Sequence, residues 1–334
     1  MDAARPRLHV LISIQQRVPQ WQIPEESALA LAARLPDVGF TYARSPEERA
    51  AGLPDAEVAF TWTMTRDELA RASRLRWVHT SAVAVETLCL PELAARGVRV
   101  SNTRGVQAVP IAEHVLAVIL ALAKQLPFTL ENQQRQQWAQ FEYRGARQPW
   151  LLRGRTLGLI GVGTIGQAIA VRAAAFGMRV VALRRTADAG LPTGVVAVFS
   201  RERLEEMLGT CDALAIAAPL TPDTHGLIDR SALAALKPGA VVVNVGRSPI
   251  LDTDGLVDAL RSGHLAGASL DVFPEEPLPA SHPLWTAPNV ILTPHTSGFR
   301  QGHWDEVIDL FGDNLERWLK GEPLKFRVEP ELGY

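Results

Sequence analysis

A glycine-rich turn, Gly161–Gly166, constrains the fold more than any other feature of the sequence. The turn has the sequence Gly-Val-Gly-Thr-Ile-Gly; it follows the apolar segment Leu157–Ile160 directly and opens a segment with helical spacing, Ile165–Phe176. In such a unit the glycines permit a tight turn, close approach of a pyrophosphate, and close packing of helix on strand. A glycine turn without a ligand is the alternative, but the strand before it and the helix after it favour dinucleotide binding. We therefore assign Gly161, Gly163, Thr164, Ile165 and Gly166 to a cofactor site.

Strand-like and helix-like segments alternate along the rest of the chain. The predicted strands are Leu8–Ile14, Val38–Tyr42, Val58–Trp62, Leu75–Thr80 and Val98–Ser101, and then Thr156–Gly161, Arg179–Leu183, Val195–Phe199, Ala213–Ala218, Ala240–Val245, Ala266–Val272 and Asn289–Leu292. The predicted helices include Glu25–Leu35, Glu86–Arg96, Ile111–Leu126, Ile165–Phe176, Ser231–Leu236, Asp254–Arg261 and Trp304–Leu319. Because 334 residues exceed the usual size of one core, this alternation predicts an α/β fold with two doubly wound parallel sheets.

Composition excludes several classes of function. The net charge is −2, from 34 basic and 36 acidic residues, which provides no extended positive field for nucleic acid. The apolar run Leu8–Ile14 is too short to span a membrane. The two cysteines, Cys89 and Cys211, lie far apart without ligand-like neighbours, so we expect no disulfide and no metal site. These features indicate a cytoplasmic protein that binds neither nucleic acid nor a membrane.

The end of the second strand of this unit, which is the first strand after the glycine turn, predicts which dinucleotide is preferred. An acidic residue there would accept hydrogen bonds from the ribose of NAD. Here the strand Arg179–Leu183 is followed by Arg184 and Arg185, whose guanidinium groups suit a 2′-phosphate, although two arginines after a strand are often only surface residues. We predict NADP as the cofactor, with NAD possible, and place Pro219, which follows the strand Ala213–Ala218, in the same site.

Three predicted strands end in polar residues whose chemistry suits reduction of a 2-oxo acid. The residues are Arg247 in Asn-Val-Gly-Arg, Glu276 after Asp271 in Asp-Val-Phe-Pro-Glu-Glu, and His295 in Thr-Pro-His-Thr-Ser-Gly. Ligands of open α/β sheets bind at the carboxyl ends of the strands. An arginine can hold the substrate carboxylate, a histidine can donate a proton, and a carboxylate beside it favours the protonated imidazole. Each residue taken singly is more often structural, and His79, at the end of the fourth strand, is a competitor for the role of His295.

With these motifs the chain resembles the D-isomer-specific 2-hydroxyacid dehydrogenases over nearly its whole length, and within them the glyoxylate and hydroxypyruvate reductases. The resemblance implies that Arg247 binds the substrate, that Glu276 pairs with His295, and that His295 is the acid and base. It also implies that Asp271 holds the nicotinamide amide.

The resemblance further implies a Rossmann cofactor domain, 103–297, inserted into a flavodoxin-like substrate domain formed by 1–102 and 298–334, and a homodimer. The family's Gly-Ala-Gly-Val-Asp substrate loop is replaced here by Ala82–Glu86, so Val83 and Ala84 are the expected substrate contacts, and Ala84 leaves the identity of the oxo acid open. Because the sequence ends at Tyr334, we expect a short family member and not a long phosphoglycerate dehydrogenase.

Two other classes of protein are weighed against a dehydrogenase. A binding protein that senses the redox state of the dinucleotide would keep the same fold and could keep the same polar residues, and turnover with an oxo acid separates it from an enzyme. A hydrolase is disfavoured because the segment Gly246–Pro249 lacks the second glycine of a Gly-x-Ser-x-Gly turn.

Overall fold

The structure is a computed structural model that describes residues 8–185 and 190–331. The ends of the predicted substrate domain, 1–7 and 332–334, lie outside the described residues. The chain divides into two compact units, Met1–Gln107 with Phe299–Tyr334, and Ala108–Gly298. We call them unit 1 and unit 2.

All strands within each sheet run parallel. The strands of unit 1 are β1 (His9–Ser13), β2 (Gly39–Tyr42), β3 (Val58–Thr61), β4 (Trp77–Thr80) and β5 (Arg99–Asn102), and those of unit 2 are β6 (Thr156–Ile160), β7 (Arg179–Leu183), β8 (Ala197–Phe199), β9 (Ala213–Ile216), β10 (Ala240–Asn244), β11 (Leu265–Leu270) and β12 (Val290–Leu292). The helices are α1 (Glu25–Arg34), α2 (Pro46–Gly52), α3 (Arg66–Arg71), α4 (Leu90–Ala95), α5 (Ala108–Ala123), α6 (Leu126–Gln134), α7 (Thr164–Ala175), α8 (Leu204–Leu208), α9 (Arg230–Ala235), α10 (Thr253–Arg261) and α11 (His303–Lys320).

The two sheets have the strand orders of two doubly wound folds. Unit 1 has the order β2-β1-β3-β4-β5, which is the flavodoxin-like order, and unit 2 has β8-β7-β6-β9-β10-β11-β12, in which the order reverses between β6 and β9 as in a Rossmann fold. The predicted α/β fold class is confirmed. β6, β9 and β10 are buried on both faces because helices cover each side of the sheet, which explains their continuous apolar sequences.

Helix α11 closes the core of unit 1, a placement that its amphipathic pattern alone did not give. Val307, Phe311 and Leu315 are buried with the apolar side chains of β1 and β3. The ring of Phe311 stacks on Phe60 with the centroids 4.2 Å apart. The chain therefore returns to unit 1 after it has completed the sheet of unit 2.

The predicted helix Ile111–Leu126 is wrong at its end. α5 ends at Ala123, Gln125 takes a left-handed conformation with φ 57°, and α6 starts at Leu126. Pro127 stands in the first turn of α6, where its missing N–H leaves no hydrogen bond unmade.

No single helix of the described residues is long and apolar enough to cross a membrane; only α5 and α6 together, bent by 67°, reach that length and composition.

Candidate active site

The glycine turn of unit 2 has the geometry that a bound pyrophosphate requires. Gly161 has φ 92°, and a Cβ there would lie 2.9 Å from the Ala218 Cα, while a Cβ on Gly166 would lie 2.2 Å from the Gly161 carbonyl oxygen. A Cβ on Gly163 would meet nothing within 4 Å. The first and third glycines are thus required by packing, and the second leaves open space at the N-terminus of α7, where backbone N–H groups favour an anion.

The two predicted phosphate-binding arginines follow β7 beside this turn. The Gly161 N–H donates to the Leu183 carbonyl over 3.3 Å, so the end of β7 lies next to the start of the turn. Arg184 is partly exposed and Arg185 is exposed. Pro219 lies across the point between β6 and β9 at which the strand order reverses. It is exposed and follows the carboxyl end of β9.

The histidine and the carboxylate predicted to pair are in direct contact. His295 Nδ1 lies 2.8 Å from Glu276 Oε2, and Glu276 Oε1 accepts a hydrogen bond from the Phe273 amide over 3.0 Å. Burial opposes ionisation of Glu276. The hydrogen bond and charge of His295, the hydrogen bond from the Phe273 amide and the positive charge of Arg247 together outweigh the effect of burial. The pKa of this carboxyl is therefore held below its ordinary value.

Arg247 belongs to the same group of charges. It follows β10, and its backbone carbonyl accepts from the Asn244 side chain over 3.3 Å, while the Asn244 oxygen accepts from the Gly246 amide over 3.0 Å. A Cβ on Gly246 would lie 2.9 Å from the Ala218 carbonyl, so a larger residue would force β10 away from β9. The guanidinium of Arg247 is close enough to Glu276 to favour the ionised carboxylate.

Asp271 anchors the segment that carries His295. This carboxylate is buried and accepts hydrogen bonds from Thr293 Oγ1 over 2.6 Å, from the Thr296 amide over 2.9 Å, and from both the amide and the hydroxyl of Ser297. His295 between them has φ 55°, an uncommon conformation that these bonds hold in place. The sequence prediction assigned Asp271 to the nicotinamide amide and missed this anchoring; three hydroxyl residues flanking the histidine were its visible signal.

Of two further histidines, His79 is buried and His114 is half-buried. His79 lies in the core of unit 1, stacked on Phe311 with a centroid separation of 5.1 Å and hydrogen-bonded to Ser101 over 2.7 Å, and burial lowers its pKa to about 3. It is a neutral core histidine and not a proton donor at neutral pH. His114 on α5 has its pKa lowered by burial, against the opposing charge of Asp271.

The predicted substrate loop lies at the carboxyl edge of the sheet of unit 1. Its backbone is fixed because the Asn102 side chain donates to the Val83 carbonyl over 2.7 Å and the Thr103 amide donates to the Ala82 carbonyl over 3.3 Å. Val83 and Ala84 are partly exposed, whereas Val85 is buried. The loop therefore offers the two predicted contacts at its surface.

Sheet order and glycine turn together define unit 2 as a dinucleotide-binding Rossmann unit. Residues 116–297 match the family model described as "D-isomer specific 2-hydroxyacid dehydrogenase, NAD binding domain". The chain is 35% identical over 287 residues to the glyoxylate reductase of Aeropyrum pernix, covering 83% of each chain. It is 29% identical to the D-3-phosphoglycerate dehydrogenase of Methanocaldococcus jannaschii over 89% of this chain, but it spans only 56% of that relative's length.

A solved structure shows the same likeness over the whole length. An NADPH-dependent glyoxylate/hydroxypyruvate reductase from Sinorhizobium meliloti, in complex with citrate, superposes with a TM-score of 0.76 and 29% identity, covering 97% of this chain and 98% of that one. The chain therefore belongs to the D-isomer specific 2-hydroxyacid dehydrogenases, a family of NAD-dependent oxidoreductases.

Proposed function

We propose that this protein is an NADPH-preferring reductase of small 2-oxo acids such as glyoxylate and hydroxypyruvate, and that it forms D-2-hydroxy acids. The observation that carries the proposal is the contact between His295 and Glu276, with the charge of Arg247 beside it, in a dinucleotide-binding unit. The names of the Aeropyrum and Sinorhizobium proteins support the substrate class, and the NADPH dependence of the latter supports the cofactor.

Three residues of unit 2 would carry the chemistry. A nicotinamide bound beyond the glycine turn would supply the hydride to the carbonyl carbon of the oxo acid. The planar guanidinium of Arg247 suits a carboxylate, which it can hold through two parallel hydrogen bonds. Because Glu276 occupies His295 Nδ1, the other ring nitrogen, Nε2, is left to give its proton to the ketone oxygen. Asp271 acts as a positioning residue for His295 through the bonds to its neighbours.

The cofactor preference rests on Arg184 and Arg185. No acidic residue follows β7 at the position where one would accept hydrogen bonds from an unphosphorylated ribose. Two guanidinium groups at the end of this strand instead favour a 2′-phosphate, which carries a full negative charge. We propose that both arginines contribute to the preference for NADPH.

Unit 2 also carries a segment suited to contact a second copy of the chain. Trp138 is 86% exposed and Phe141 is 84% exposed, in the segment 135–142 after α6, which we call the arm. Large apolar side chains exposed to this degree indicate an interaction surface. We propose a homodimer through this arm.

Two free thiols, Cys89 and Cys211, fit a reducing compartment, and we propose a cytoplasmic location.

The direct test is turnover of oxo acids by the purified protein and by His295→Ala. Glyoxylate and hydroxypyruvate are assayed with NADPH and with NADH, and the variant is expected to lose turnover by at least about a hundredfold because its proton donor is gone, while NADPH affinity is retained. His264→Gln is the control, since His264 precedes β11 at the opposite edge of the sheet. Near wild-type rates in His295→Ala would remove this residue from the acid role, and NADPH binding without turnover of any acid would indicate a dinucleotide sensor.

A further inference from the structure

The 3₁₀ helix Arg201–Arg203, which follows β8 in unit 2, carries an arginine that the sequence prediction did not assign to the cofactor site. β7 and β8 pair in parallel and end opposite each other, and beyond them the Arg184 amide donates to the Phe199 carbonyl over 3.1 Å. Arg201 is the second residue beyond β8, just as Arg185 is the second residue beyond β7. The two arginines therefore leave neighbouring strands at the same level of the sheet.

The side chain of Arg201 reaches along the carboxyl edge of this sheet. Its Nη1 donates a hydrogen bond to the Asp223 carbonyl, in the segment between β9 and α9. In the strand order of unit 2, β7 and β6 lie between β8 and β9. The guanidinium therefore joins two segments that flank the carboxyl ends of β7 and β6, which are the ends that lead into the predicted phosphate-binding arginines and the glycine turn.

Hydrogen bonds within the segment after β9 hold the acceptor of Arg201 in place. The Thr221 amide donates to Thr224 Oγ1 over 2.8 Å, and Thr224 Oγ1 donates to the Pro219 carbonyl over 2.7 Å. Asp223 lies between the two threonines, and Pro219 is a predicted cofactor contact. Arg201 is thus attached to a braced turn that belongs to the predicted cofactor site.

Arg201 carries its positive charge without an ion pair, unlike its neighbour Arg203. Arg203 donates two hydrogen bonds to Glu206, over 2.7 and 2.5 Å, and its Cζ lies 4.9 Å from the ring centroid of Phe199. Arg201 is exposed, its bond goes to a neutral carbonyl, and no carboxylate pairs with it among residues 8–185 and 190–331. Because a guanidinium has five N–H donors, most of those on Arg201 are open to an anion.

We propose that Arg201 is a third arginine for the 2′-phosphate of NADPH and thereby a determinant of the cofactor preference. A phosphate monoester carries a charge of about −1.5 to −2 at pH 7 and has three acceptor oxygens, so it can engage more than one guanidinium. The 2′ position of the adenosine ribose is recognised at the end of the second strand of a Rossmann unit, which here is β7. The proposal rests on the proposed function, because it adds a residue to the same cofactor site.

Two adenine nucleotides that lack the nicotinamide test this role apart from turnover. Calorimetric titration compares adenosine 2′,5′-bisphosphate with adenosine 5′-monophosphate in the wild type, in Arg201→Met and in Arg203→Met, the control that removes a charge from the same 3₁₀ helix. Arg201→Met is expected to raise the Kd of the bisphosphate about tenfold, the effect of losing one charge-assisted hydrogen bond, and to change the Kd of the monophosphate by no more than about twofold. Arg203→Met should change neither.

A second variant separates the charge of Arg201 from the shape of its guanidinium. Arg201→Lys keeps the charge but loses the planar fork that matches a phosphate, so the Kd of the bisphosphate should lie between those of the wild type and Arg201→Met. The Kd of NADPH, followed by nicotinamide fluorescence, should rise in the same order of variants, whereas the Kd of NADH should change little.

Three results would overturn the assignment of Arg201 even if NADPH reduces glyoxylate. They are an unchanged Kd of the bisphosphate in Arg201→Met, the same effect in Arg203→Met, and equal weakening of both nucleotides, which would place Arg201 against the adenine ring. Selective loss of bisphosphate binding in Arg201→Met, together with a wild type that turns over no oxo acid, would support Arg201 and overturn the proposed function.

Discussion

Replacing Glu276 by glutamine removes the charge of the carboxylate while keeping its shape. The amide oxygen introduced by Glu276→Gln can still accept from the Phe273 amide, as the carboxylate does over 3.0 Å. Its other end would present an NH₂ group to His295 Nδ1, where the carboxylate oxygen lies at 2.8 Å. An NH₂ donor pairs only with an unprotonated Nδ1, so the variant favours the neutral imidazole over the imidazolium that reduction of the oxo acid requires.

The structure limits how large this effect is. The side chains of His295 and Glu276 are 49% and 38% exposed, so solvent screens the pair and the value for an exposed ion pair, about 0.2 to 1 kcal/mol, applies. Divided by about 1.4 kcal/mol per pH unit, this predicts that the alkaline limb of kcat/KM for reduction moves to lower pH by roughly 0.1 to 0.7 unit. The pKa of Glu276 is below its ordinary value, so the carboxylate is ionised across the assay range and its own titration does not contribute to the limb.

The assay is a pH profile of glyoxylate reduction between about pH 5.5 and 9.5, with Glu275→Gln as the matched control because Glu275 is exposed and adjacent. Since the pKa of Glu276 is lowered by folding, its ionised form contributes stability above the pKa of the unfolded chain, and this contribution is lost as pH falls through the folded value. The melting temperature of Glu276→Gln should therefore be only slightly below that of the wild type at neutral pH. An alkaline limb that stays in place, or that moves equally in Glu275→Gln, would refute the role of Glu276.

Two further predictions concern the cofactor and the assembly. Arg184→Asp combined with Arg185→Ala should raise the KM for NADPH by at least about 10- to 100-fold, the effect of losing a single charge-assisted interaction, and should change the KM for NADH little. Arg179→Ala, at the exposed amino end of the same strand, is the control, and equal effects on both cofactors would place Arg184 and Arg185 outside the phosphate site. Trp138→Asp combined with Phe141→Asp should halve the mass seen by sedimentation equilibrium, because two charges would be buried in the contact, whereas an unchanged mass would exclude the arm as the interface.

Sequence patterns located the strands well because parallel strands buried on both faces are continuous apolar runs. β7 was predicted with its observed ends, Arg179 and Leu183, and β10 within one residue. Short polar helices were missed, among them α2 and α3, because six or seven residues carry too little periodicity to separate them from loops. Helix α4 begins at Leu90 and not at Glu86, since the preceding residues form the loop that contacts Trp62.

The candidate site, like the fold, could be predicted from the sequence only in part. The sequence determined by itself that a glycine turn lies between a strand and a helix, and that an arginine, a carboxylate and a histidine follow the ends of other strands, because each of these is a local property. Only the tertiary structure decided that Glu276 meets His295, that Asp271 holds the segment around the histidine, and that Arg201 reaches the segment after β9. Such facts depend on contacts between residues far apart in the chain, and burial, which sets their energies, exists only after the chain has folded.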